Sequence, residues 1–160
     1  MRVWYAGPAT LLALVAWTAG CEGTLDEPQF TPADREAIVD IATQIEELGL
    51  AGDWDGFFTL FHTDAIVIPP GLPAIEGRDE IQRWWLEVAE GMTYLDFSVE
   101  PIEVYGSGDL AFAWYEYYLE FEDQTGDDSV TQELQGDWLF IFRKDEDGNW
   151  LIFRETYRNL

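Results

Sequence analysis

Residues 52–85 read GDWDGFFTLFHTDAIVIPPGLPAIEGRDEIQRWW, and the order of signals in this stretch decides the architecture. Asp53 precedes Trp54, Phe57, Phe58 and Phe61, which recur at helical spacing, so the aspartate reads as an N-cap and the rings as one buried face. Residues 65–68 are short and β-branched, and Pro69-Pro70-Gly71 stops them as a strand. Gly77-Arg78-Asp79 then opens another helix, with Ile81, Trp84, Trp85 and Val88 apolar and Gly91 closing it.

Upstream, Thr31 is a natural N-cap, Pro32 suits the first helical position and Asp34 complements the helix dipole. Ile38, Ile41, Ala42, Ile45 and Leu48 form an apolar stripe that Gly49 and Gly52 end. Downstream the pattern is strand and turn: 94–105 bent at Pro101, a Gly106-Ser107-Gly108-Asp109 hairpin, 110–122, an acidic loop over 123–128, 130–144, a turn over 145–149, and 150–157. Three helices followed by successive antiparallel strands predict an α+β fold with the helices on one side of the sheet.

The chain has 160 residues, 16% aromatic with eight Trp, enough for one domain with a sizeable core and incompatible with disorder through the bulk of it. Its formal net charge is −24, from 32 acidic and 8 basic residues, which argues against a nucleic-acid partner because phosphate binding needs Lys and Arg. Residues 1–20 hold one basic residue, Arg2, and an apolar run over 11–17, too short to span a bilayer comfortably. Thr18-Ala19-Gly20 then leads to the only cysteine, Cys21. This segment resembles a bacterial lipoprotein signal in which Cys21 is lipidated, with Thr18 where that motif usually has Leu; a plain secretory signal is the alternative. The expected organisation is a signal peptide at 1–20, an acidic tether at 21–31 and a domain at 32–160, placed at the cell envelope as an outer-membrane lipoprotein or a periplasmic or secreted protein, with the lipid anchor its only membrane contact.

The helix, strand, Pro-Pro-Gly turn and helix of 52–85 resemble the opening of the nuclear transport factor 2-like superfamily, in particular its SnoaL-like and uncharacterised bacterial branch. The resemblance implies a cone-shaped α+β barrel, in which three helices sit in the concave face of a curved antiparallel sheet around an apolar pocket. Relative to the steroid isomerases of that superfamily, Pro69 stands where the catalytic aspartate belongs and Ile45 where the oxyanion tyrosine belongs, so that chemistry has lost its base and one donor. Their second donor, a carboxyl, falls near Asp137. The same correspondence puts Trp84 and Trp85 at the pocket rim, and Trp114, Glu116, Tyr118, Phe153, Glu155 and Tyr157 at inward strand positions.

Glu155 and Glu116 would then face an aromatic cavity, where burial raises a carboxyl pKa; alternatively Glu155 pairs with Arg83, Arg143 or Arg154. His62, the lone histidine, reads as a cap at the end of its helix more readily than as half of a dyad with Asp64. No metal site is expected from one His and no cysteine pair, and no cofactor. Residues 110–122 are apolar and aromatic at both parities, so the outer sheet face needs a cover, and the superfamily resemblance implies a homodimer. The leading functional expectation is a lipid-anchored module that binds a small apolar or aromatic molecule. The alternatives are an isomerase, cyclase or lyase using Glu155 or Glu116 with Asp137, and a structural dimeric interaction domain.

Overall fold

The computed structural model describes residues 29–126 and 128–160; the expected signal peptide, Cys21, most of the tether and Asp127 lie outside them. The elements in chain order are α1 (Pro32–Ala51), α2 (Trp54–Thr59), β1 (Phe61–Ile68), β2 (Ile75–Glu76), α3 (Arg78–Val88), β3 (Met92–Ser107), β4 (Leu110–Asp123), β5 (Val130–Lys144) and β6 (Trp150–Asn159).

Helix α1 begins at a capping box: Thr31 Oγ1 accepts from the Asp34 N–H, and the Asp34 carboxylate accepts from the Thr31 N–H at 2.8 Å. It ends where Gly52 turns left-handed at φ 66° and returns its N–H to Gly49 and Leu48 carbonyls. Asp53 caps α2 by accepting from the Gly56 N–H at 2.9 Å. The second helix is shorter than its aromatic spacing suggests, because Phe61 already belongs to β1.

The six strands form one sheet in the order β2-β1-β6-β5-β4-β3. It is an open sheet, which corrects the expected barrel: β2 and β3 are edges and do not pair with each other. Neither is it wholly antiparallel, since β1 runs parallel to β6. Two local causes keep it open. Strand β2 is only two residues long, hemmed by the Pro69-Pro70-Gly71 turn and Pro73. At the other side α1 takes up backbone groups of β3: Arg35 donates to the Val104 carbonyl at 2.7 Å and Glu46 accepts from the Val99 N–H at 2.6 Å. Between those two points β3 slips register around Pro101 and Glu103, which accommodates the proline on an edge strand.

The helices cover the face that carries Ala111, Ala113, Tyr115, Leu119 and Phe121 on β4, Trp138, Phe140 and Phe142 on β5, and Trp150 and Ile152 on β6, all buried. Gly136 on β5 admits no side chain, because a Cβ there would meet the Arg158 carbonyl oxygen at 1.9 Å and the Tyr117 ring at 2.9 Å.

The start of α1 is fastened to the β5–β6 hairpin through Asp34. Its carboxylate receives Lys144 Nζ at 2.7 Å and Trp150 Nε1 at 2.9 Å. The Lys144 contact first, then Thr31 and Trp150, holds the Asp34 pKa well below the usual carboxylate range. Stability from this group is therefore present above the pKa of an unfolded aspartate and is lost as pH falls through the acid range. Asp34→Ala should lower unfolding stability at neutral pH by about 2 kcal/mol, read by urea denaturation, and should flatten the acid limb of the stability profile.

Candidate functional site

Between the helices and the sheet lies a hollow of about 240 Å³. Helices α2 and α3 contribute Trp54, Phe57, Trp85 and Val88; β3 contributes Met92, Tyr94 and Phe97; β4 and β5 contribute Tyr117, Leu119, Phe121, Leu134 and Trp138; β6 closes it with Tyr157 and Asn159. The rings meet mostly edge to face: Trp54 lies 5.4 Å from Tyr94 and 5.8 Å from Trp85, centroid to centroid. No side chain among those lining residues is charged. A second, much smaller void of about 20 Å³ lies against the same wall, bounded by Phe57, Phe58, Phe61, Val67, Ile81, Trp84, Trp85, Trp138 and Glu155.

Glu155 is the one buried charged side chain among the described residues, 7% exposed. Its partner is Trp138, whose indole N–H donates to Oε1 at 2.7 Å. The arginines expected to pair with it are engaged elsewhere: Arg83 with Glu80, Arg143 with Asp64 and His62, and Arg154 with the carbonyls of Asp64 and Phe153. Burial without a cation pushes the Glu155 pKa up to about 7, and the Trp138 hydrogen bond opposes this only in part. Burial, with Glu155 nearby, also pushes Tyr157 up to about 12.

The inward placement of the other expected residues holds for some and not for others. Trp85 and Tyr157 line the larger hollow, and Trp84 lines the small void with Glu155. Trp114, Glu116 and Tyr118 lie on the sheet face away from the helices, a correction with a steric reason. The small residues Ala111 and Ala113 and the buried Tyr115, whose hydroxyl reaches the Ile38 carbonyl at 3.3 Å, occupy the inner parity beneath α1. Asp137 is on that outer face too, accepting from Trp114 Nε1 at 3.2 Å and ion-paired with Arg158. It pairs across the strands with Glu116, not with Glu155, so those two carboxylates adjoin on the outer face and neither joins Glu155 on the inner one.

Phe153 is turned out by a bulge. Phe142 pairs with Ile152 but Ile141 pairs with Arg154, which leaves Phe153 as the extra residue on β6. It sits between the guanidinium groups of Arg143 and Arg154, at 3.8 and 3.5 Å from its ring centre. His62 is in β1, not at a helix end, and rests edge-on against Phe153. Arg143 Nη2 lies 2.8 Å from its Nε2, and burial together with that cation lowers its pKa. Among the described residues no group of His, Asp and Glu is arranged to hold a metal ion, and Asp145 is occupied by its own turn, accepting from Asn149. Sequence reasoning did not single out Tyr94, Tyr117, Trp138 and Asn159 as lining residues; for Tyr117 and Trp138 the signal was a second aromatic parity on β4 and β5, which alternation alone cannot orient.

The SnoaL-like domain model matches residues 41–152 of this chain. The chain belongs to the SnoaL-like family. Its fold is close to that of a ketosteroid isomerase-like protein from Erwinia carotovora atroseptica, with TM-score 0.71 and 24% identity over 81% of this chain and 98% of that one. A conserved protein from Planctomyces limnophilus gives TM-score 0.70 at 19% identity, over 80% of this chain and 98% of that one. A Catenulispora acidiphila structure in complex with S-DNPA gives TM-score 0.66 at 13% identity, over 81% and 95%. These likenesses establish the fold. No curated protein matches the chain.

The burial of Glu155 in this SnoaL-like domain fixes a sign for its pH dependence. The folded-state pKa is raised, so its contribution to stability is present below the unfolded value of about 4.5 and is lost as pH rises toward about 7. Glu155→Gln should remove a fall of roughly 3 kcal/mol across that window, leaving the variant more stable than the wild type at pH 8 and about equal to it at pH 4. Urea denaturation of both proteins at the two pH values checks this.

Proposed function

We propose that this SnoaL-like domain binds a small apolar or aromatic molecule in the ring-lined hollow, without chemistry of its own, on a bacterial protein anchored by a lipid at Cys21. The observation that carries the reading is the uncharged aromatic hollow itself. A core needing only to be filled would not leave about 240 Å³ open beside Trp54, Trp85, Tyr94 and Trp138. The S-DNPA bound in the Catenulispora acidiphila protein adds support from a shared fold. Binding is favoured over catalysis because Glu155, the buried carboxyl among the described residues, stands behind Trp138 and bounds the small void instead of the hollow. The apolar run ahead of Thr18-Ala19-Gly20-Cys21 supports the anchor and the envelope location.

A homodimer through the outer sheet face is supported by a separate observation. Tyr105, Phe112, Ile141, Leu139 and Trp114 are all exposed and are joined by cross-strand pairing of Tyr105 with Phe112, Phe112 with Ile141, and Trp114 with Leu139. Five contiguous apolar side chains on the uncovered face of a sheet suit an isologous partner.

Native mass spectrometry of the protein purified from the envelope of a bacterial host reads all three elements at once. The expected result is a dimer with a bound small molecule released on activation and a diacylglyceryl adduct at Cys21. An empty species would overturn the binding reading, a monomer the dimer, and an unmodified Cys21 or a chain cleaved elsewhere the anchor.

A further inference from the structure

The hollow and the buried carboxyl share a wall. Phe57, Trp85 and Trp138 line the 240 Å³ hollow on one side and the void of about 20 Å³ on the other, where they meet Glu155. Trp138 is also the hydrogen-bond donor to that carboxyl, at 2.7 Å. The remaining residues around the void, from α2, β1 and α3, are aliphatic or aromatic, so none of those elements brings a charge to Glu155. On its own strand, Arg154 is turned to the Asp64 and Phe153 carbonyls, and Tyr157 stays neutral because burial first, then the Glu155 charge, pushes its hydroxyl up to about 12. Burial also pushes up Tyr94 and Tyr117, whose hydroxyls belong to the same hollow. Among the groups that line the hollow or share its wall, Glu155 is therefore the one that changes charge near neutrality.

We propose that ligand binding in the hollow is linked to protonation of Glu155, so that the domain takes up a proton as it loads and releases its ligand as pH rises. The coupling rests on the small-molecule reading of the hollow and adds the regulation of that site. Its physical cause is desolvation. Val88 and Asn159, both exposed, are part of the lining, so the hollow communicates with solvent. A small molecule that occupies it replaces water with hydrocarbon one indole thickness from the carboxyl. A charge without a counter-ion becomes less favourable as its surroundings lose water, whereas the neutral acid is nearly indifferent. Ligand and proton therefore favour each other, and each raises the affinity of the other by the same factor. No movement of the wall is required.

Indole is the probe, a soluble aromatic that carries no charge between pH 5.5 and 8.5. Titration calorimetry of the full chain gives its affinity at both pH values. At pH 7, two buffers of different ionisation enthalpy give the protons taken up. The wild type should bind about three- to tenfold more tightly at pH 5.5 than at pH 8.5, equivalent to a rise of roughly half to one pH unit in the Glu155 titration midpoint on loading. It should also take up a fraction of a proton per indole bound at pH 7. Glu155→Gln mimics the neutral acid, and should hold the tighter affinity at both pH values with no proton uptake. His62, which faces Arg143, Asp64, Asp145 and Arg154, is the other side chain to titrate near this range, and His62→Gln should leave the pH dependence intact.

Equal wild-type affinity at the two pH values, with no proton uptake, overturns the inference and leaves the binding reading intact. A pH dependence that survives in Glu155→Gln or vanishes in His62→Gln does the same. Failure of indole to bind at either pH overturns the binding reading and the inference together. Should Glu155→Gln fold poorly, the wild type decides alone: the ¹³C titration midpoint of the Glu155 carboxyl moves to higher pH on loading if ligand and proton are linked, and stays in place if they are not.

Discussion

Strand β6 carries one residue more than its partner at Phe153, and the orientation of everything after it depends on that insertion. Before the bulge Trp150 and Ile152 face the helices; after it Glu155 and Tyr157 do, which strict alternation from Trp150 would forbid. The bulge is stabilised from outside, where Phe153 is stacked between Arg143 and Arg154 and met edge-on by His62. Its consequence inside is a carboxyl under the Trp138 indole and a tyrosine in the wall of the hollow. Without the insertion the same residues would present Glu155 to water, and the environment that raises its pKa would not exist.

A cationic cluster in a chain of net charge −24 would suggest an anion site, and here it does structural work instead. Arg143 and Arg154 hold the bulge, Lys144 holds the first turn of α1 through Asp34, Arg35 covers the edge of β3, and Arg158 pairs with Asp137 on the outer face. Arg78 and Arg83 pair with Asp79 and Glu80 at the surface, and no charged side chain lines the hollow. On the proposed reading, recognition in the hollow rests on shape and ring contacts, not on ion pairing.

Much of the helical half was legible in the sequence, because its signals are local and chemically specific. Thr31 and Asp53 cap the helices they were expected to cap, Gly52 ends α1, and the hairpins turn at Gly108 and Gly148. The sheet was less legible. Strand β4 is apolar at both parities, so alternation could not tell Ala111, Ala113 and Tyr115 from Phe112, Trp114 and Glu116; the deciding factor was the room that two alanines leave for α1, a tertiary property. Nor does alternation announce a bulge, which is why Phe153 was expected inward beside Glu155. The parallel pairing of β1 with β6, the two-residue β2 and the open edge at β3 likewise arise from partners far apart in the chain.

The central claim is that Glu155 is enclosed and uncompensated by any cation, with Trp138 as its donor. Carbon-13 NMR of the side-chain carboxyl groups as a function of pH tests it directly. The account predicts one glutamate titrating near pH 7, with the Trp138 indole N–H resonance shifting in step with it. Titration of Glu155 at about 4.5, the ordinary glutamate range, with the Trp138 resonance indifferent to it, would contradict the account.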